Sequence, residues 1–250
     1  MTRWSRCRHQ HDLFNAPARE RPHMMPFLTP LDIAAVIWFF TLWIGYNLIA
    51  DSDRLRNKSV VGMMHEHRRR WMKEMLQRDM RMLDTMILNH LQGGIGLFAS
   101  TSILAVGGLV AALGATDKAI AVLSALPLVG ETTRLEWEVK VLLLMLVFVY
   151  AFFKFVWSYR LYGFCAILIG AVPSSTNLGP DAETRAEQAA KIADLAGRHQ
   201  NRGLRAFYFA VAALAWLIHP AVFIIASTWV VSVLYRRDFR SRSQRVVRGD

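Results

Sequence analysis

VLLLMLVFVYAFFKFV, residues 141–156, carries one charge, Lys154, in sixteen positions. A soluble domain breaks such a run with charges every few residues. The run also continues outward. From Val139 to Ala171 the chain stays apolar but for Lys140, Lys154 and Arg160. As one straight helix those 33 residues would be ~50 Å long, against ~30 Å of hydrocarbon in a bilayer. The second half is rich in aromatics: Phe152, Phe153, Phe155, Trp157, Tyr159, Tyr162 and Phe164. Aromatics mixed with Lys and Arg mark a membrane interface, where the cations extend to the headgroups. The expectation is a span over about 139–160 whose basic, aromatic end leaves the membrane.

Three more runs of this kind flank it: Ile33–Ala50, Ile95–Ala115 and Ala206–Tyr235. With caps and flanks they predict spans over about 30–50, 91–115 and 206–235. Pro30 suits the first turn of a helix, where its missing N–H costs nothing. Asp32 complements the positive end of the helix dipole. The second run holds Gly96 and Ser100, Gly107 and Ala111, Gly108 and Ala112, pairs four apart that let helix backbones approach closely. That packing is either within the chain or between subunits. The last run is long and carries His219-Pro220 near its middle, where proline kinks a helix.

Between the first two spans the chain is highly charged yet periodic. Met72, Met75, Leu76, Met82, Leu83, Met86 and Ile87 recur at helical spacing, predicting one basic amphipathic helix over about 62–90. Arg68, Arg69, Arg70 and Lys73 make it a candidate for the lipid headgroup region. Packing on a neighbouring helix is the other reading. Residues 116–138 form the most acidic connection, and their apolar piece Ala119–Val129 is too short to span. Residues 173–200 read as a polar insertion, with Asp181 as N-cap of a short helix over about 181–198. Residues 239–250 read as a basic tail.

The chain has 250 residues, 54% of them hydrophobic, and a formal charge of +11. Apolar spans separate the basic clusters, so the charge reads as topology and headgroup contact, not nucleic-acid binding. Cys7 and Cys165 make neither a disulfide framework nor a zinc spacing. Residues 1–24 carry five arginines and no apolar signal core. With Met24 and Met25 just before the first span, they read as a disordered or mis-assigned extension.

Orientation is nearly balanced. With four spans, the tail, middle connection and C-terminus tie with the first and third connections at 14 Lys and Arg each. Without residues 1–24, and with Lys154 and Arg160 added, the balance becomes 9 to 16. That favours both termini outside. The arginines from 236 to 248 dissent, and a re-entrant turn at His219-Pro220 would place the C-terminus inside.

The polar residues that interrupt apolar faces are the candidate functional residues. Asp79 falls on the methionine face, with His90 on nearly the same face. A carboxylate there is paired, with Arg78 or Arg81 for instance, or it is protonated. Lys154, with Arg160 one and a half turns on, is an ionisable group in an apolar run. His219 precedes the kink and either titrates near neutral pH or packs between helices. His65-Glu66-His67 diverge on a helix, unlike the HExxH spacing, so no metal site is expected. No phosphate loop, GxSxG elbow or CxxC is present, and no cofactor is implied. There is no internal repeat of the kind many transporters show.

Several short motifs carry a family resemblance. They are Trp71-Met72, Arg78-Asp79, Arg81 and Asp84, then Phe98-Ala99-Ser100 and Leu113-Gly114-Ala115. Glu138-Val139-Lys140 leads to Phe148-Val149-Tyr150-Ala151-Phe152-Phe153, and Gly203-Leu204-Arg205-Ala206-Phe207-Tyr208-Phe209 and Leu234-Tyr235-Arg236-Arg237-Asp238-Phe239 follow. Over about residues 28–242 the chain resembles the membrane-protein family catalogued as domain of unknown function 599. The resemblance implies a four-span integral membrane protein and supplies no activity.

The expected fold is an all-α polytopic membrane protein: four transmembrane helices and a basic amphipathic helix before the second. The expected location is the cell (inner or plasma) membrane, and the expected partners are the bilayer and further copies of the chain. The leading function is a small oligomeric channel or transporter subunit, built on small-residue faces with Asp79, Lys154 and His219. The rival is a non-transporting scaffold or assembly factor that binds lipid or a partner through the basic helix. A membrane enzyme is third.

Overall fold

The computed structural model describes residues 28–52, 59–125 and 132–248, and among these all regular structure is helical. The helices are α1 (Pro30–Asp51), α2 (Val60–Leu76), α3 (Met82–Gly114), α4 (Thr116–Ser124), α5 (Arg134–Gly170), α6 (Ala182–Leu214), α7 (Pro220–Phe239) and α8 (Arg242–Arg248). The expected extension at residues 1–24 lies outside the described residues. Three helices, α1, α3 and α5, are each long and apolar enough to cross a membrane.

Local chemistry sets the helix starts. Thr29 and Asp32 form a reciprocal capping box at α1: the Thr29 hydroxyl accepts from the Asp32 amide at 3.2 Å, and the Asp32 carboxylate accepts from the Thr29 amide at 3.0 Å. Ser59 caps α2 and Thr133 caps α5, each accepting an amide of the first turn. At α7 the His219 imidazole does this work, accepting from the Ala221 amide at 3.1 Å, with Pro220 at the first helical position.

The antiparallel pair α5–α6 is the spine. Phe148 meets Phe207, Phe155 packs on Gly203, the Ser158 hydroxyl donates to the Ala196 carbonyl at 2.7 Å, and Cys165 faces Ala189. A Cβ on Gly203 would come within 2.7 Å of the Phe155 ring, so glycine sets this approach. Helix α3 packs along α5, with Phe98 stacked on Phe155 and edge-on to Phe207 of α6. On the other side of α6 lie α1 and α7, joined where the Phe39 ring meets both Phe209 and Phe223. Helix α2 buries Met72, Met75 and Leu76 against the first half of α6. That half presents the small buried residues Ala186, Ala189, Ala190, Ala193 and Ala196, and so admits a helix on each side.

Three sequence expectations are corrected. The helix expected over 62–90 is two helices, broken at residues 77–81. The methionine periodicity continues across the break, but Met80, Met82, Leu83 and Met86 are exposed while Met72 and Met75 are fully buried. The short helix expected to end near residue 198 instead runs unbroken through Gly203 to Leu214. Of the two packings open to the small residues of α3, that within the chain has no close approach: a Cβ at Gly93, Gly96, Gly107 or Gly108 would meet nothing within 4 Å.

The largest correction concerns the last apolar run. It is not one kinked span. Helix α6 ends at Leu214, a 3-10 turn covers Ala215–Leu217, and α7 begins at Pro220. Beyond that point the chain doubles back. Arg237 lies over the Tyr208 ring at 5.4 Å, and Trp216 stacks on Phe223. In a continuous helix residues 208 and 237 would be ~43 Å apart. Proline removes the amide that would extend α6, and the 3-10 turn tightens its end, so the break becomes a reversal.

The reversal brings the end of α7 back to the end of α1, where the Tyr46 hydroxyl donates to Asp238 at 2.8 Å. Helix α8 then lies against α2. The C-terminal helix therefore sits at the same end of the bundle as α2 and the start of α6.

Candidate functional site

Two buried polar layers cross the bundle. The first joins the start of α1 to the turn between α6 and α7. Trp216 Nε1 donates to Asp32 at 2.7 Å, and Lys140, paired with Glu136 at 2.5 Å, lies 5.8 Å from the Trp216 ring. Asp32 and Lys140 are buried. The second layer joins the end of α1 to α6 and α7. Asp51 accepts from Arg202 Nε at 2.6 Å and from Arg205 Nη1 at 3.0 Å. Arg205 also donates to Asn47 at 3.1 Å and covers the Tyr46 ring, with only 2% of its surface exposed. Arg237 pairs with Asp238, which holds Tyr46.

Asp32 and Asp51 stand nineteen residues apart on α1, a separation of ~28 Å. On α7, Pro220 and Asp238 are eighteen residues apart, or ~27 Å.

Helices α1 and α5 leave a groove between them, of about 610 Å³. Its walls are apolar: Phe40, Trp43, Ile44, Leu48, Leu146 and Tyr150. Its far end is polar, formed by Asn47, Asp51, Ser52 and Arg202 of the second layer. The Trp43 indole N–H is buried in this wall without a partner among the described residues. Lys154, one turn along α5 from Tyr150, holds its ammonium 5.0 Å from the Tyr150 ring. A cleft with apolar walls and a few converging polar groups is the usual form of a ligand site.

Beyond the second layer the ion pairs continue. Asp194 on α6 accepts from Arg68 at 3.2 Å and from Arg198 at 3.0 Å, and meets His65 at 3.2 Å. Burial opposes its charge, but Arg198, His65 and Arg68 outweigh that and hold its carboxyl below the usual range. His199 goes the other way for a base. Burial first, then Lys154 and Arg202, push it down to about 4, so it is neutral at physiological pH.

The residues singled out from the sequence do not form one site. Asp79 is exposed in the turn between α2 and α3, where it accepts from the Ser175 hydroxyl. The buried acid of this region is Asp84, which accepts from Trp71 and from Arg78, each at 2.7 Å. Arg81 donates to the carbonyls of Ile169, Val172 and Pro173 and so closes the end of α5. His90 is exposed on α3. Arg160 is exposed over the Phe164 ring. His219 caps α7 at the opposite end of the bundle from Lys154.

Arg68 and Arg69 are engaged with Asp194 and Glu187, whereas Arg70 and Lys73 are exposed. Among the described residues no group of three His, Cys, Asp or Glu could hold a metal.

Sequence reasoning missed Asp51, Arg202, Arg205 and Asp194. A visible signal did exist: Asp51 and Arg205 are the charges that end one apolar run and begin another. Two such boundaries at one end of the bundle are natural partners.

No curated protein and no solved structure matches the chain. One family model, "Protein of unknown function, DUF599", matches residues 34–243. The chain therefore belongs to the DUF599 family.

Proposed function

We propose that this is a multi-pass protein of the cell membrane that holds a lipid-like amphiphile in the groove between α1 and α5. The observation that carries the reading is the groove itself: apolar walls that end on a buried layer of ion pairs. An acyl chain matches the walls, and a polar head matches the end. Exposed Ile44, Leu48 and Leu146 line its sides and open it laterally to the hydrocarbon.

The membrane disposition belongs to the same proposal. The two polar layers are ~28 Å apart along α1, close to the ~30 Å of a hydrocarbon core. Three helices meet the length and apolarity of a span. In our reading the last apolar run of α6 and helix α7 add two more, as a hairpin whose tip reaches the first layer. This replaces the expected single fourth span with two crossings. Helix α2 then lies along the face that carries the second layer. The arginines after residue 235 share that face with those of the first and third connections, which removes the near-balance in charge and makes it the cytoplasmic face.

A conduction path built on Asp79, Lys154 and His219 finds no support, because those residues lie in three separate places. The test uses the purified full chain in liposomes with a photoactivatable phospholipid. Crosslinks are expected at Ile44, Leu48 or Leu146, and Leu146→Trp should remove them by filling the groove. Ion or solute flux without groove crosslinks would overturn the reading in favour of a channel.

A further inference from the structure

The polar end of the groove has a charge imbalance that the ion pairs do not cancel. Arg202, Arg205 and Lys154 gather there against one acid, Asp51. Arg205 is held in place by Asp51, Asn47 and the Tyr46 ring. Arg202 uses Nε on Asp51, and its terminal nitrogens make no bond among the described residues. Lys154 makes no ion pair or hydrogen bond among the described residues and only rests over Tyr150. Half-buried cations without partners are costly beside hydrocarbon. His199 lies close enough to feel this charge: after burial, Lys154 and Arg202 are the groups that oppose its protonation. The next acid, Asp194, is already shared by His65, Arg68 and Arg198.

We propose that Lys154 and the terminal nitrogens of Arg202 hold the phosphate of an anionic phospholipid whose acyl chain occupies the α1–α5 groove. The proposal rests on the groove reading above and adds the headgroup. A phosphate supplies the missing negative charge and several acceptor oxygens, which suit the planar donors of arginine and the point charge of lysine. Arg202 lines the groove and Lys154 stands one turn from its lining residue Tyr150, so chain and headgroup fit one molecule.

The detergent-solubilised full chain, titrated with phosphatidylglycerol and with phosphatidylcholine and read by native mass spectrometry, tests this. Phosphatidylglycerol should bind more tightly. Lys154→Gln should weaken it by about fivefold, the scale of one cation near an anionic headgroup, and weaken phosphatidylcholine less, because choline offsets the charge of its phosphate. Lys154→Arg should restore the preference. Because Lys154 has no partner to orphan, its variants should melt like the parent chain.

Equal binding of the two lipids, both lowered by Leu146→Trp, would overturn the headgroup assignment and leave the groove reading standing. Lipid binding indifferent to Leu146→Trp would overturn the groove reading, and this proposal with it. Displacement of the lipid by millimolar inorganic phosphate would show a free-anion site and overturn the proposal alone.

Discussion

Asp51 pairs with two arginines of α6, and one of them, Arg205, is almost fully buried. Removing one partner of a buried pair costs more than the pair contributes, because the other charge is stranded. Asp51→Ala should therefore destabilise the folded protein by on the order of 3 kcal/mol, read from thermal denaturation in detergent. Asp51→Asn should cost less, since its amide oxygen still accepts from Arg205.

His199 makes a pH prediction of definite sign. Its folded value is near 4 against 6.5 for the free side chain. Between those values the unfolded chain takes up a proton that the folded chain refuses, so stability falls as pH drops from 6.5 towards 4. His199→Gln should flatten that slope. Asp194 acts lower down: its depressed value gives stability that is full above the ordinary aspartate range and lost as pH falls through the folded value.

At the scale of elements, the contact between α5 and α6 depends on Gly203. A Val there would drive its Cβ into the Phe155 ring, at a cost of about 1–3 kcal/mol for an overpacked site. Phe155→Leu should recover part of that loss in the double variant, which a thermal-shift cycle would detect. The elements were only partly legible in the sequence. The long apolar runs marked α1, α3 and α5, because a span is a local property of composition. The break at residues 77–81 was hidden because methionines keep a helical spacing whether or not the helix continues. At the break Arg78 turns to the nearby Asp84, and the distant contact is that of Arg81, which leaves for the end of α5. The His219-Pro220 signal was visible, but proline permits both a kink and a reversal. The choice is made by Phe39, which packs on α6 and α7 together. The groove was not legible at all, since its lining comes from α1, α5 and α6, which only tertiary packing brings side by side.

For the whole molecule, the reversal decides where the chain ends. A green-fluorescent-protein fusion after Asp250 should fluoresce, and an alkaline-phosphatase fusion there should be inactive. A reporter in the connection between α4 and α5 should behave in the opposite way. An active phosphatase at Asp250 would restore the four-span arrangement with both termini outside.

The two polar layers have a consequence for residence. The layers are tied together through α1 and the α6–α7 hairpin, so their separation cannot be stretched without breaking the Trp216–Asp32 or Tyr46–Asp238 bond. The molecule thus carries a fixed ruler of ~28 Å, shorter than a thick, sterol-rich membrane of ~32–33 Å and near a thin one of ~27 Å. In the proposed disposition a bilayer of other thickness deforms around it, and the protein should favour thin membranes or thin patches within a membrane.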